Sequence, residues 1–509
     1  MTQRMIYLDD RGVDREIVLA NGRRAATGFA SLGVAEGDCV ALLLRNDFVF
    51  FEVQQAAAAL GAYSIPINWH GAPDEILYVL KDARPKILVA HADLFAAVRD
   101  VLPAGLIVLV ARTPDEIARA YGLRQAQCAP APGDVEWNGW LARFEEWTGA
   151  PKPTRATMIY TSGTTGNPKG VQRAAATPEQ AAAYVQMIAR VYGLTPGVRA
   201  LVAGPLYHAS PNAYGRQALP NADVLVMQSK FDAEAALALI EKHRITNAVM
   251  VPTMFIRMLK LPQELRSRYD VSSLNWVTHT GAPCPSEIKR QLMQWWGPVI
   301  YETYGGSEVG TATLATPQDA ISHPGSVGVP TPGTRIAFYA EDGRLLPDGE
   351  IGEIYMRVPA YADFTYLNDP EKRKRVERDG LISVGDVGYL EDGHLYLCDR
   401  RSDMVISAGT NIYPAEIENA LVQCPGVQDC AVFGIPDEEF GESLAAAVEL
   451  VPGADISAES IRAYLGQHIA RFKIPKRIDF HDALPRHDSG KIFKRKLREP
   501  IWQNAGRAI

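Results

Sequence analysis

Short apolar runs and amphipathic stretches take turns along the first part of the chain. Cys39–Leu44, Tyr63–Ile67, Lys86–Ala90 and Leu106–Val110 read as strands, and Phe48–Leu60 and Pro73–Lys81 as helices. Strands alternating with helices imply a parallel sheet covered on its faces. The segment 111–150, rich in Ala, Pro and Trp but without a clear period, reads as a surface connection. The alternation resumes with a strand at Thr157–Thr161 and a helix at Pro178–Tyr192. Thr177 stands at that helix's cap position and Pro178 in its first turn. Arg199–Ala203, Asp223–Met227, Asn247–Val251, Asn275–His279 and Val299–Glu302 read as further strands. From about residue 325 the character changes. Glu341-Asp342-Gly343 and Glu391-Asp392-Gly393 are hairpin turns between strand-like runs, which predicts an antiparallel β portion.

After Asp399-Arg400-Arg401-Ser402-Asp403 comes a compact unit of roughly 100 residues. Its helices are expected at Pro414–Val422 and Ala458–Ile469, and its strands at Cys430–Gly434, Ala445–Leu450 and Arg477–Phe480. A chain of 509 residues also exceeds what one core supports. The pattern therefore predicts an α/β fold. A large N-terminal domain (1–399) of parallel-sheet α/β layers plus a β portion precedes a small α+β C-terminal domain (400–509).

Composition adds exclusions. A net charge of −7 argues against a broadly basic nucleic-acid surface. The six cysteines, at 39, 128, 284, 398, 424 and 430, form no CxxC pair and no Cys/His cluster. Reduced thiols in a cytoplasmic protein are the simple expectation. The N-terminal MTQRMIYLDDRG has no apolar signal core. No apolar run approaches the ~20 residues of a membrane helix, so no integral membrane association is expected.

The densest chemistry lies at Thr161-Ser162-Gly163-Thr164-Thr165-Gly166-Asn167-Pro168-Lys169-Gly170. Its glycines let the backbone approach an anion, its hydroxyls add donors and its lysine adds charge. The Walker spacing is absent, and Val171–Arg173 looks extended, with the helix starting only near Pro178. A phosphate-binding loop is the reading, and a P-loop kinase is disfavoured.

YTSGTTGNPKGV resembles the signature of the acyl-adenylate-forming superfamily, and more precisely of its AMP-dependent acyl-CoA synthetases. Further motifs follow in the family's order. Tyr301-Glu302-Thr303-Tyr304-Gly305-Gly306-Ser307-Glu308 is similar to the adenine and magnesium segment. The resemblance implies that Thr303, Tyr304, Gly305 and Ser307 line the nucleotide and that Glu308 holds Mg²⁺. Ser383-Val384-Gly385-Asp386 resembles a turn whose aspartate takes both ribose hydroxyls, although Ser383 and Val384 replace the usual basic residue and Thr. Arg400 then contacts the nucleotide, and Ser402 is the hinge of a mobile C-terminal domain, where Asp or Lys is commoner. Gly409, in Ser407-Ala408-Gly409-Thr410, lines the tunnel for the CoA thiol. Lys491, in Pro485-Arg486-His487-Asp488-Ser489-Gly490-Lys491, is the catalytic lysine of adenylation. Phe440 and Phe472 fall near the CoA nucleotide by the same resemblance. On the residues alone, Lys491, Lys494, Arg495, Lys496 and Arg498 form a charge run of the kind that is usually a solvated face.

The implied activity is ATP-dependent, AMP-forming ligation of a carboxylic acid to CoA through an acyl-adenylate. Thr161, Ser162, Gly163, Thr164, Thr165, Gly166 and Lys169 hold the phosphates. Glu308, Thr161, His208 and Lys491 carry the chemistry. His208, in Leu206-Tyr207-His208-Ala209-Ser210, stands where amino-acid-activating relatives carry an aspartate, so an α-amino acid is disfavoured. An acyl pocket is expected from His208, Asn212, Tyr214, Thr280, Gly281, Ala282 and Gly306, taking a medium- or long-chain fatty, aromatic or steroid-type acid. Partners are then the acid, ATP and CoA, and a homodimer is allowed. The rival readings are a stand-alone adenylation enzyme that charges a carrier protein and a non-catalytic nucleotide sensor.

Overall fold

The computed structural model describes residues 4–153, 155–161, 168–282, 284–400, 403–407, 410–437, 440–486 and 492–504. Two parallel sheets form the first half. Strands Cys39–Leu43, Tyr63–Pro66, Ile87–His91 and Ile107–Ala111 make a four-stranded sheet with every pair parallel. A nine-stranded sheet has a parallel centre of Met5–Leu8, Val224–Met227, Arg199–Val202, Asn247–Met250, Trp276–His279 and Ile300–Gly306. Antiparallel strands Arg11–Asp14 and Gly310–Ala315 flank that centre. Four of these strands, Tyr63–Pro66, Ile87–His91, Val224–Met227 and Asn247–Met250, are buried along their whole length, as expected for sheets covered on both faces.

The predicted change of character near residue 325 is real. Arg335–Tyr339, Gly352–Arg357, Leu381–Glu391 and His394–Arg400 pair antiparallel. At the second predicted turn, Asp392 and Gly393 both adopt positive φ, the geometry a tight two-residue hairpin needs. From Val405 onward the strands belong to a separate five-stranded sheet, built on the long hairpin Val427–Asp437 and Gly441–Leu450. Its helices are Pro414–Leu421 and Ala458–His468. Among the described residues no helix is long and apolar enough to cross a membrane. All six cysteines are free.

Between the parallel sheets and the site runs a three-stranded antiparallel ribbon, Ile159–Thr161, Lys169–Arg173 and Phe364–Tyr366. The strand at 159–161 starts two residues later than the sequence pattern suggests. The helix after the ribbon, Pro178–Tyr192, begins where expected. Thr177 Oγ1 accepts from Gln180 N, and Gln180 returns the bond to Thr177 N, a reciprocal cap.

The segment 111–150 is not a surface connection. It forms helices Asp115–Tyr121, Gln125–Cys128 and Trp137–Leu141, and Trp137 is fully buried among Phe29, Trp140 and the core. Its lack of period reflects helices too short to show one, each burying only one to three side chains. Trp137 Nε1 donates to Glu52 Oε2 at 2.8 Å, and Asn21 Nδ2 to Glu52 Oε1 at 2.8 Å. Burial pushes the Glu52 carboxyl up to about 7, and the two donors offset this only in part. The folded chain thus keeps a proton that the unfolded chain releases near the usual carboxylate value. The contribution is fully present below that value and is lost as pH rises through about 7, a change of roughly 3 kcal/mol. Glu52→Gln should therefore flatten the fall in stability between about pH 5 and 7. Urea denaturation across a pH series measures this, and an unchanged slope contradicts it.

Candidate functional site

The nine-stranded sheet delivers the strand Ile300–Gly306, which ends in a tight turn onto Gly310–Ala315. Gly305 allows this turn, because a Cβ there would lie 1.9 Å from the Gly310 carbonyl oxygen. Glu308 sits in the turn. Its Oε1 accepts from Tyr366 Oη at 3.0 Å and faces Thr161 Oγ1 at 3.5 Å. The Ser307 and Glu308 carbonyls both accept from Arg173 Nη2 at 2.8 Å, and Arg173 Nη1 donates to Ala362 O at 2.7 Å. Arg173 is buried, with its guanidinium over Tyr361 at 4.8 Å. One ribbon therefore grips Glu308 twice, by the backbone through Arg173 and by the carboxylate through Tyr366.

Lys169, at the start of the ribbon's central strand, lies 3.7 Å from Asp369 Oδ2. Asp369 caps the helix Pro370–Arg375, whose Lys372 Nζ sits 4.4 Å above the Tyr366 ring. Burial lowers the Lys372 pKa against opposing attraction from Glu308 and Asp369. Lys169, Lys372 and Glu308 thus share one electrostatic neighbourhood.

Asp386 is held by two side chains. Tyr304 Oη donates to its Oδ2 at 2.8 Å, and Arg400 Nε lies 3.4 Å from its Oδ1. The turn before it depends on Ser383, which donates to Glu353 Oε1 at 2.6 Å and accepts from Gly385 N at 3.0 Å. Gly385 takes φ +83°, a conformation that favours glycine. Val384 packs onto Gly306, where an added Cβ would meet Val384 Cγ1 at 3.0 Å. That contact joins the Glu308 turn to the Asp386 turn. Thr280 Oγ1 donates to the Thr303 carbonyl at 2.9 Å, which ties the loop with exposed Gly281 and half-exposed Ala282 to the same strand. Gly281 takes φ +86°, and open space lies where its Cβ would be.

Two residues expected in the acyl pocket are deeply buried. Tyr214 is fully buried in the core, edge-on to Tyr192 at 5.2 Å. Asn212, 2% exposed, accepts from Gln54 Nε2 (3.1 Å) and Thr157 Oγ1 (3.0 Å) and donates to Leu206 O (2.8 Å). Its amide is a cross-link between elements. Both positions face inward because the helix Ala209–Asn221 presents them to the sheet side. His208 immediately precedes that helix, with its ring 4.1 Å from Tyr207. Phe440 lies beneath Lys476 Nζ at 4.2 Å, and Phe472 is largely exposed beside Lys473. Ser162, Gly163, Thr164, Thr165, Gly166, Ser402, Gly409 and Lys491 lie outside the described residues.

The charge run after Lys491 is not uniformly solvated. Lys494 begins the helix Lys494–Asn504, and its Nζ meets Glu418 Oε1 at 2.8 Å. Burial alone would lower the Lys494 pKa, but Glu418, Asp399 and Asp403 raise it well above the usual value. Sequence reasoning also missed Arg173 and Tyr366. The available signal was weak: Arg173 ends the strand Lys169–Arg173, whose sequence is already polar at Lys169 and Gln172.

The model of the AMP-binding enzyme family matches residues 18–363, and that of the AMP-binding enzyme C-terminal domain matches 416–491. The chain belongs to the AMP-binding enzyme family. A long-chain-fatty-acid–CoA ligase of Mycobacterium tuberculosis, FadD13, is 32% identical over 94% of this chain and 91% of its own. A fatty acid–[acyl-carrier-protein] ligase of Streptomyces coeruleorubidus, ScoC, is 31% identical over 99% and 94%. The crystal structure of ATP-bound MatB from Rhodopseudomonas palustris superposes with a TM-score of 0.84 at 27% identity, covering 99% and 96%. This AMP-binding enzyme is an ATP-dependent, AMP-forming acid–thiol ligase.

Arg173→Met should leave three carbonyls without their donor, at about 1–3 kcal/mol for each buried unsatisfied group. The expected destabilisation is about 3 kcal/mol or more, and Arg173→Lys should recover only part of it. Urea denaturation reads this, and a loss below about 1 kcal/mol contradicts a bracing role.

Proposed function

We propose that this enzyme joins a hydrophobic carboxylic acid to CoA, and that the Glu308 cradle is where ATP reacts. The observation that carries the reading is the placement of Glu308. Its carboxylate is held by the hydroxyls of Thr161 and Tyr366, and it borders Gly306, which packs against Val384 in the turn before Asp386. Hydroxyl neighbours leave the carboxylate its full charge, which fits a hard divalent cation. Glu308 would hold Mg²⁺, which when bound supplies charge neutralisation to the leaving pyrophosphate.

The chain's own groups do the rest. Lys169, with Thr161, Ser162, Gly163, Thr164, Thr165 and Gly166, binds the β- and γ-phosphates. Asp386 accepts from the ribose hydroxyls, oriented by Tyr304 and Arg400. Thr303, Gly305 and Ser307 shape the nucleotide's wall. Lys491 bridges the attacking carboxylate and the α-phosphate, so that the acid oxygen displaces pyrophosphate in line. The C-terminal domain then turns about Ser402, leaving Arg400 with the large domain. Lys491 withdraws, Gly409 lines the thiol's path, and Phe440 and Phe472 meet the CoA nucleotide, each beside a lysine that suits phosphate. The thiol sulfur attacks the acyl carbon and AMP leaves.

His208, Thr280, Gly281, Ala282 and Gly306 line the acyl pocket, while Asn212 and Tyr214 support it from behind. Fatty acids stand in the names of both curated relatives, and the open space at Gly281 suits a bulky acid. The enzyme works on small molecules in the cytoplasm, with a homodimer as the simplest assembly.

An AMP-release assay with fatty, aromatic and steroid acids, run with and without CoA, tests the reading. We expect CoA-dependent AMP from at least one hydrophobic acid. Acid-dependent pyrophosphate exchange that yields no acyl-CoA but loads a carrier protein would favour the acceptor named for the Streptomyces relative. ATP binding with no turnover of any acid would favour a sensor. Lys491→Ala should abolish adenylation yet spare thioester formation from preformed acyl-adenylate. Equal loss of both halves would remove the role given to Lys491.

A further inference from the structure

One cluster of metal-ligating side chains lies outside the ATP site. Asp319 belongs to the short helix Pro317–Ser322, His323 follows it, and His394 opens the second strand of the hairpin Leu381–Glu391/His394–Arg400. Their ligand atoms all lie within 4.8 Å of one another. Each is oriented by a separate hydrogen bond. Asp319 Oδ2 accepts from Thr316 N and Thr316 Oγ1, both at 2.8 Å, while Asp319 Oδ1 is directed at His394 Nε2, 3.1 Å away. His394 Nδ1 lies 3.1 Å from the Asp392 carbonyl, so it carries the proton. His323 Nδ1 lies 2.9 Å from Ser322 Oγ. Imidazoles fixed through Nδ1 to a carbonyl or hydroxyl, beside a carboxylate anchored by its other oxygen, are arranged as metal ligands usually are.

We propose that Asp319, His323 and His394 bind one transition-metal ion, Zn²⁺ being the first choice for a two-imidazole, one-carboxylate set. Imidazole nitrogens disfavour Mg²⁺ and Ca²⁺, which prefer oxygen. The two rings now stack, with centroids 3.7 Å apart and planes 13° from parallel. A lone pair lies in the plane of its ring, so parallel stacked rings do not share an ion. Ion binding would require His323, the less buried of the two, to rotate out of the stack and give up its Ser322 contact. The site clasps the helix Pro317–Ser322 to the hairpin end. Asp386 pairs with Arg400 at the hairpin's other end, six residues from His394 along the strand, or roughly 20 Å. The ion is therefore structural and takes no part in the ATP reaction.

Titration of chelator-stripped full-length enzyme with ZnCl₂, without ATP, tests this by calorimetry and thermal unfolding. We expect one ion per chain and a saturable rise in Tm. His323→Ala should weaken binding at least about tenfold and abolish the Tm rise while leaving AMP release intact. Asp319→Asn provides a second variant that keeps the shape of the side chain. Co²⁺ should give a visible ligand-field band in the wild type that is lost in both variants. No binding would mean that the cluster is only an ion pair with a stacked ring. Undiminished binding in both variants would place the ion on other groups, such as the free cysteines. Either result overturns the proposal.

Discussion

The site depends on how the charge of one carboxylate is left uncompensated. Among the described residues, Glu308 is held by the hydroxyls of Thr161 and Tyr366 and forms no ion pair. Six residues earlier, at the end of the same parallel sheet, Glu302 shows the opposite solution. Glu302 Oε2 meets Lys289 Nζ at 2.6 Å in a buried pair, with His279 Nε2 at 3.7 Å. Burial pulls the His279 pKa down to about 4, so the ring stays neutral and Lys289 alone balances Glu302. A buried pair of that kind is closed to any ligand, because separating it would strand a charge at a cost of several kcal/mol. Hydroxyl donors orient Glu308 without neutralising it, and the charge stays available.

Orientation without neutralisation needs rigidity from elsewhere, and Arg173 supplies it. A guanidinium buried without a carboxylate is costly unless its donors are satisfied. Arg173 spends its donors on three backbone carbonyls and lays its face over Tyr361. The cation therefore fixes the backbone under Glu308 while its charge is shared among carbonyl dipoles. The strand that carries Arg173 also carries Lys169, so one strand bears both the brace under the Glu308 turn and the lysine beside Asp369.

Local features were readable from the sequence because their physics is local. The Thr177 cap, the turn at Asp392-Gly393 and the extended Val171–Arg173 each follow from a few neighbouring residues. The resemblance named the nucleotide residues, and the structure pairs Thr161 with Glu308 and sets Tyr304 and Arg400 on Asp386. What escaped were long-range choices. Arg173 reaches carbonyls more than 130 positions away, and Tyr366 reaches Glu308 across 58. Trp137 finds Glu52 across 85 positions, which no periodicity in 111–150 could announce. That Asn212 and Tyr214 lie on the buried face of their helix was likewise not readable from motif position. Lys494 was hidden in a charge run, where only the fold reveals Glu418 beside it.

The same reasoning bears on the junction of the two domains. Consecutive residues of a strand point to opposite faces. Arg400 turns toward Asp386, whereas Asp399 Oδ2 accepts from Ala415 N at the start of the helix Pro414–Leu421. Two adjacent side chains thus hold the nucleotide turn on one side and the small sheet's first helix on the other. Burial raises the Asp399 pKa, and Lys494 opposes this, so the charge that steadies the helix is shared with the segment that follows Lys491. A rotation about residue 402 that carried the small domain away would have to break the Asp399–Ala415 bond and separate Lys494 from Asp399. It would leave the Arg400–Asp386 contact on the large domain undisturbed. In the rotation proposed above, the cost of turning would fall on Asp399 and Lys494, while the Arg400–Asp386 contact would persist.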